Sequence, residues 1–114
     1  MASVLIVDDS PTETYKMEVA LKKNGFEVFK ADNGMDGVAA AKKHLPDLVL
    51  MDVVMPGLNG FQATRQLTQA KETAHIPVII VTTKDQQTDK LWGKRQGAKG
   101  YLVKPVDEKK LVDS

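Results

Sequence analysis

The sequence predicts an α/β domain built on a doubly wound parallel sheet. Three observations carry that expectation. Five short apolar runs alternate with longer amphipathic stretches, and such alternation implies parallel strands joined by right-handed helical crossovers, with helices on both faces. Two of the runs end in acids: Val4, Leu5, Ile6 and Val7 lead into Asp8 and Asp9, and Leu48, Val49, Leu50 and Met51 lead into Asp52. At 114 residues the chain suits one domain with a core of its own, spanning 1–114 with no output domain expected.

Strands are expected at 3–8, 27–31, 47–52, 77–82 and 100–103, from the apolar run at each. The first helix starts near Pro11, which suits the first helical turn, with Ser10 as N-cap and Glu13 where the helix dipole favours an acid. Asn24 and Gly25 end it, and Met17, Ala20 and Leu21 form its inward face. The second helix runs from Gly34 to His44 with Val38, Ala41 and Leu45 inward, and Pro46 prevents its continuation. The third spans Asn59 to Lys71 and the fourth Gln86 to Gln96. After Pro105 and Val106 only Asp107 to Ser114 remain for a shortened fifth helix, with Leu111 and Val112 as its small apolar face. Strands one, three and four are continuously apolar, as central strands should be. Strand two mixes Glu27 and Lys30 with Val28 and Phe29, as an edge can. Both features favour the flavodoxin-like order 2-1-3-4-5, whose ligand crevice lies between the C-terminal ends of strands one and three.

Composition excludes several chemistries. There is no cysteine, so no disulfide, thiolate metal site or thiol nucleophile is available. Sixteen basic against fifteen acidic residues give a net charge of +1, which does not point to nucleic acid. The apolar runs are far too short for a membrane span, and no room precedes the first strand for a signal peptide. A cytoplasmic location is expected. His44 and His75 have no metal-site spacing and read as solvated.

The acids at strand ends are the informative feature. Three carboxylates at one sheet end oppose one another's ionisation, and a hard divalent cation such as Mg2+, which takes one or two carboxylates and keeps waters, resolves the conflict. A lone Asp at a strand end is more simply a turn or cap residue, and that reading stays open for Asp8. Strand four ends in Thr82 and strand five in Lys104 and Pro105, at the same end of the sheet.

This ordered set, together with Met55, Pro56 and Gly57 after Asp52, resembles the response-regulator receiver domain, CheY-like, of two-component phosphorelays. The resemblance covers essentially the whole chain. It implies that Asp52 is the nucleophile accepting a phosphoryl group from a phosphohistidine. It implies Mg2+ held by Asp9, Asp52 and the carbonyl of Val54, with Asp8 acting through water. Lys104 would pair with the carboxylate and then with the phosphoryl group, Thr82 would donate its hydroxyl to it, and Tyr101 would move inward as the switch. The Lys104–Pro105 bond would be cis. Val54 offers no side-chain group to orient a hydrolytic water, and Lys84 is cationic where an acid could stand; both would tune the phosphoryl lifetime.

Within receivers, Met55 to Thr68, Ile76 to Asp89, Trp92 to Ala98 and Lys104 to Glu108 resemble the twitching-motility regulators of type IV pili. That implies a CheA-like histidine kinase as donor and a pilus-motor or other motility protein as target. The output face would be helix four, strand five and helix five, with Trp92, Lys94 and Tyr101, in a monomer or weak dimer. Alternatives are a chemotaxis receiver acting on a flagellar motor and a phosphate-sink receiver. A phosphatase with an Asp nucleophile would need an acid at position 54, where Val54 stands. The chain thus reads as a phosphoacceptor signalling protein that catalyses only its own phosphorylation and dephosphorylation.

Overall fold

The computed structural model describes residues 2–52, 60–82 and 97–103, with Thr82 and 101–103 described by backbone alone. In chain order these form β1 (Ser3–Val7), α1 (Pro11–Lys23), β2 (Glu27–Ala31), α2 (Gly34–His44), β3 (Leu48–Met51), α3 (Gly60–Gln69), β4 (Val78–Thr82) and β5 (Gly100–Val103). The five strands make one sheet in the order β2-β1-β3-β4-β5, with every neighbouring pair parallel. This is the order expected from the burial pattern, with the mixed strand β2 at an edge. The expected helix at 86–96 and the shortened fifth helix lie outside the described residues.

Strand alternation divides the core between the two faces of the sheet. Leu5, Val7, Val49, Met51, Val78 and Ile80 meet Val38 and Ala41 of α2 and Ala63 and Leu67 of α3. On the other face, Val4, Ile6, Leu50, Ile79 and Val81 meet Met17 and Leu21 of α1. Central strands are therefore buried on both sides, and this is why they read as unbroken apolar runs.

The helix ends follow their local chemistry. Ser10 Oγ accepts the Glu13 N–H at 3.4 Å, and Pro11 occupies the first helical position of α1. At the other end the Gly25 N–H donates to Lys22 O and the Phe26 N–H to Leu21 O, the paired closure of a Schellman motif. Gly25, at φ 88°, supplies the left-handed residue that closure needs. Asn33 caps α2, accepting the Asp36 N–H at 2.8 Å. Two close approaches fix the packing. A Cβ on Gly37 would lie 2.8 Å from both Cγ atoms of Val7, and one on Gly97 would lie 2.8 Å from Thr68 Cγ2.

Leu45 departs from the expected inward face. It is 50% exposed and adopts a left-handed conformation, φ 47°, as the C-cap of α2. Pro46 disfavours helical geometry in the residue before it, so the chain leaves the helix at Leu45 and Pro46 is buried instead. A left-handed leucine costs about 1–2 kcal/mol, more than its half-burial is expected to return. Leu45→Asn should therefore raise the melting temperature by roughly 2–5 °C in calorimetry; a fall would mean that the leucine's packing outweighs its backbone strain. His44 is exposed, as expected, and its ring also stacks on Phe29 with centroids 4.0 Å apart and planes at 10°.

Helix α1 is tied to the edge strand through Glu18, whose carboxylate takes Lys22 at 2.8 Å and Lys30 at 3.2 Å. Hydrogen bonds from Lys22 and then Lys30 hold the Glu18 carboxyl below its usual range. A depressed folded-state pKa gives stability that is present above the unfolded value and lost as pH falls through the folded one. Glu18→Gln should flatten the acid limb of stability below the ordinary carboxylate range, modestly, as for other surface pairs. An unchanged acid limb in pH-dependent denaturation would show that the pairs contribute nothing.

Candidate metal and phosphoacceptor site

The sheet order puts the C-terminal ends of β1 and β3 side by side, with Val7 in register with Met51. The residues that follow are held by continued backbone pairing. The Asp8 N–H donates to Ala31 O at 3.0 Å, and the Asp52 N–H donates to Val7 O at 2.9 Å. Two strands ending in acid thus deliver their carboxylates to one spot, where an oxygen from each of Asp8, Asp9 and Asp52 lies within 4.8 Å of the others.

The three acids are not equivalent. Asp8 and Asp52 are buried, 3% and 7% exposed, whereas Asp9 faces solvent. Asp8 Oδ1 accepts the Ser10 N–H at 2.9 Å, an Asx-type turn into α1. Below it the buried Thr14 hydroxyl reaches the Asp8 carbonyl at 3.5 Å, at the outer limit of a hydrogen bond. The turn role left open for Asp8 is therefore present, alongside its place in the cluster. All three acids lie at the N-terminal end of α1, where the helix dipole partly offsets negative charge.

The donor set suits a hard divalent cation. Six oxygens around Mg2+ at 2.0–2.1 Å lie roughly 3 Å apart when adjacent and about 4 Å when opposite, so carboxylates already within 4.8 Å of one another can share one ion with small rotations. Receiver domains bind Mg2+ through such acidic residues.

Of the other residues singled out from sequence, Thr82 ends β4 opposite Val103, and Tyr101 lies opposite Ile80 in β5. The backbone therefore brings position 82 to the same sheet end as the acids. The side chains of Thr82 and Tyr101, and Val54, Lys84, Trp92, Lys94, Lys104 and Pro105 altogether, lie outside the described residues. Two contributors went unread in the sequence. Ser10 reads in the sequence only as a helix cap, although its N–H also fixes Asp8. Thr14 carries no motif of its own in the sequence; its place three residues before Met17 on the inward face of α1 is the signal that marks it.

Comparison with known proteins agrees with this geometry. Residues 4–114 match the family described as the response regulator receiver domain. The chain is 70% identical over 112 residues to protein PilH of Pseudomonas aeruginosa, covering 98% of this chain and 93% of that protein. It is 38% identical to the response regulator PleD of Caulobacter vibrioides over 94% of this chain, although only 24% of the larger protein is spanned. Among solved structures, chemotaxis protein CheY4 of Vibrio cholerae superposes with a TM-score of 0.93 at 34% identity, covering 99% of this chain and 94% of that one. The paired strand-end acids, the sheet order and these likenesses agree: the chain belongs to the response regulator receiver domain family.

Proposed function

We propose that this protein is a single-domain, cytoplasmic response regulator that takes a phosphoryl group on Asp52 in a Mg2+-dependent reaction and thereby switches a protein-binding surface. The observation that carries the reading is the convergence of Asp8, Asp9 and Asp52 within 4.8 Å at the ends of two adjacent parallel strands.

In this reading Asp9 and Asp52 would hold the metal together with the Val54 carbonyl, and Asp8, engaged by the Ser10 N–H, would act through water. When bound, Mg2+ would neutralise charge on the transferring phosphoryl oxygens. A carboxylate oxygen of Asp52 forms the new bond to phosphorus as the bond to the donor's imidazole nitrogen breaks and the imidazole leaves with the electron pair. Lys104 and Thr82 would then contact the phosphoryl oxygens, with Tyr101, Trp92 and Lys94 on the surface that responds. A charge added at one point biases a two-state surface in this way.

The 70% identity to PilH supports a role in type IV pilus twitching motility, with a CheA-like histidine kinase as donor and a pilus-motor or other motility protein as target. The likeness to chemotaxis protein CheY4 at 34% identity supports a flagellar-motor receiver as the second reading. Normal twitching after deletion of the gene would favour that second reading. The receiver chemistry itself is tested with beryllofluoride and Mg2+, which mimic an aspartyl phosphate. Binding by the wild-type protein and none by Asp52→Ala is expected; no binding, or equal binding by both, would overturn it.

A further inference from the structure

A cleft of about 730 Å3 opens between α1 and α2 over the end of the edge strand, lined among others by Pro11, Tyr15, Ala31, Asp32, Asp36 and Ala39. Its lining is chemically divided. Among the described residues, Pro11, Tyr15, Ala31, Ala39 and Ala40 make an apolar wall, and the polar lining contains five acids, Asp8, Asp9, Glu18, Asp32 and Asp36, against one base, Lys30. Lys30 is already paired with Glu18, so the mouth formed by Asp9, Asp32 and Asp36 keeps its negative charge. Asn33 holds two of these acids in place, its Nδ2 donating to Asp32 Oδ1 at 2.8 Å and to Asp36 Oδ2 at 2.9 Å. Tyr15, on the α1 side, is 67% exposed, a large apolar surface left open to water beside concentrated negative charge.

We propose that this cleft docks a basic segment of a partner protein, with an arginine or lysine stem against the apolar wall and its cationic head among Asp9, Asp32 and Asp36. The acidic mouth alone would suit any cation. The apolar wall and the exposed Tyr15 ring favour a side chain with a hydrocarbon stem, and the ring face is also available to a guanidinium. An ion would leave most of the 730 Å3 unfilled. The surface is built on α1, α2 and the end of β2 rather than on the expected output face; Asp9 lines both this cleft and the metal cluster, so bound metal would take part of the negative charge, and Asp32 and Asp36 are the acids that belong to the cleft alone.

The probe is a short synthetic peptide combining arginines with leucine, compared with its citrulline twin and with spermidine, and followed by amide NMR in buffer without divalent cations. The arginine peptide should shift the signals of Tyr15, Lys30, Ala31 and Ala39. Its affinity should fall about fivefold in the Asp32→Asn, Asp36→Asn double variant, the effect of roughly 1 kcal/mol of surface charge pairing. Tyr15→Ser, at an exposed position that spares the fold, should weaken it as well. The proposal is overturned if no shifts occur, if the citrulline twin binds equally well, if neither variant changes affinity, or if spermidine binds the same residues as tightly as the peptide.

Discussion

Asp52→Asn is expected to fold like the wild type and to accept no phosphoryl group from a phosphohistidine donor. The fold should survive because the position is anchored through its backbone, by the 2.9 Å bond from the Asp52 N–H to Val7 O, and because the amide fills the same buried space. Acceptance should fail because a neutral amide oxygen is a poor nucleophile and cannot form a stable acyl phosphate. Mg2+ affinity should also fall, by roughly 10- to 100-fold or more, since even groups that only support a metal ligand cost that much when lost. Transfer measured with a radiolabelled phosphohistidine donor, beside a Mg2+ titration, checks both. Retained transfer at the wild-type rate would place the acceptor elsewhere.

The second large effect is structural. Leu50→Ala should destabilise the protein by about 2–5 kcal/mol, the range for deleting a fully buried leucine. Leu50 is 1% exposed and lies in β3 two residues before Asp52, on the face shared with Met17 and Leu21 of α1. The cavity would open between that strand and the helix whose N-terminal turn holds Asp8. Chemical denaturation should show the midpoint falling with its slope unchanged. A loss under 1 kcal/mol would mean that α1 collapses into the space, and so would contradict the tight packing of this face.

The fold was legible because its signals are redundant. Each central strand is an unbroken apolar run because both of its faces are covered, while Glu27 and Lys30 mark β2 as an edge strand. Helix starts were equally readable, since Ser10 with Pro11 and the Asn-Gly pair at 24 and 25 bracket α1 by local chemistry alone. Leu45 was not readable. Helical spacing places it inward, but the proline after it disfavours continued helical geometry there, Leu45 takes a left-handed conformation as the cap, and a periodicity argument cannot weigh one backbone clash against one buried side chain. The acid cluster was legible as three residues, because strand ends and strand order together determine where Asp8, Asp9 and Asp52 meet. Their differing environments were not, since the burial of Asp8 depends on the turn through Ser10 and on Thr14 beneath it. The α1–α2 cleft was invisible for a related reason: its lining comes from both helices and the end of β2, positions with no pattern in the chain.

The account turns on Asp52 as a Mg2+-dependent phosphoryl acceptor. Its most direct test is incubation of the protein with acetyl phosphate and Mg2+, followed by peptide mapping of the modified residue. The expected result is an acid-labile phosphoryl group on the peptide containing Asp52 that does not form when Mg2+ is chelated. A phosphoryl group on any other residue, formation undiminished without the metal, or no modification of the folded protein would contradict it.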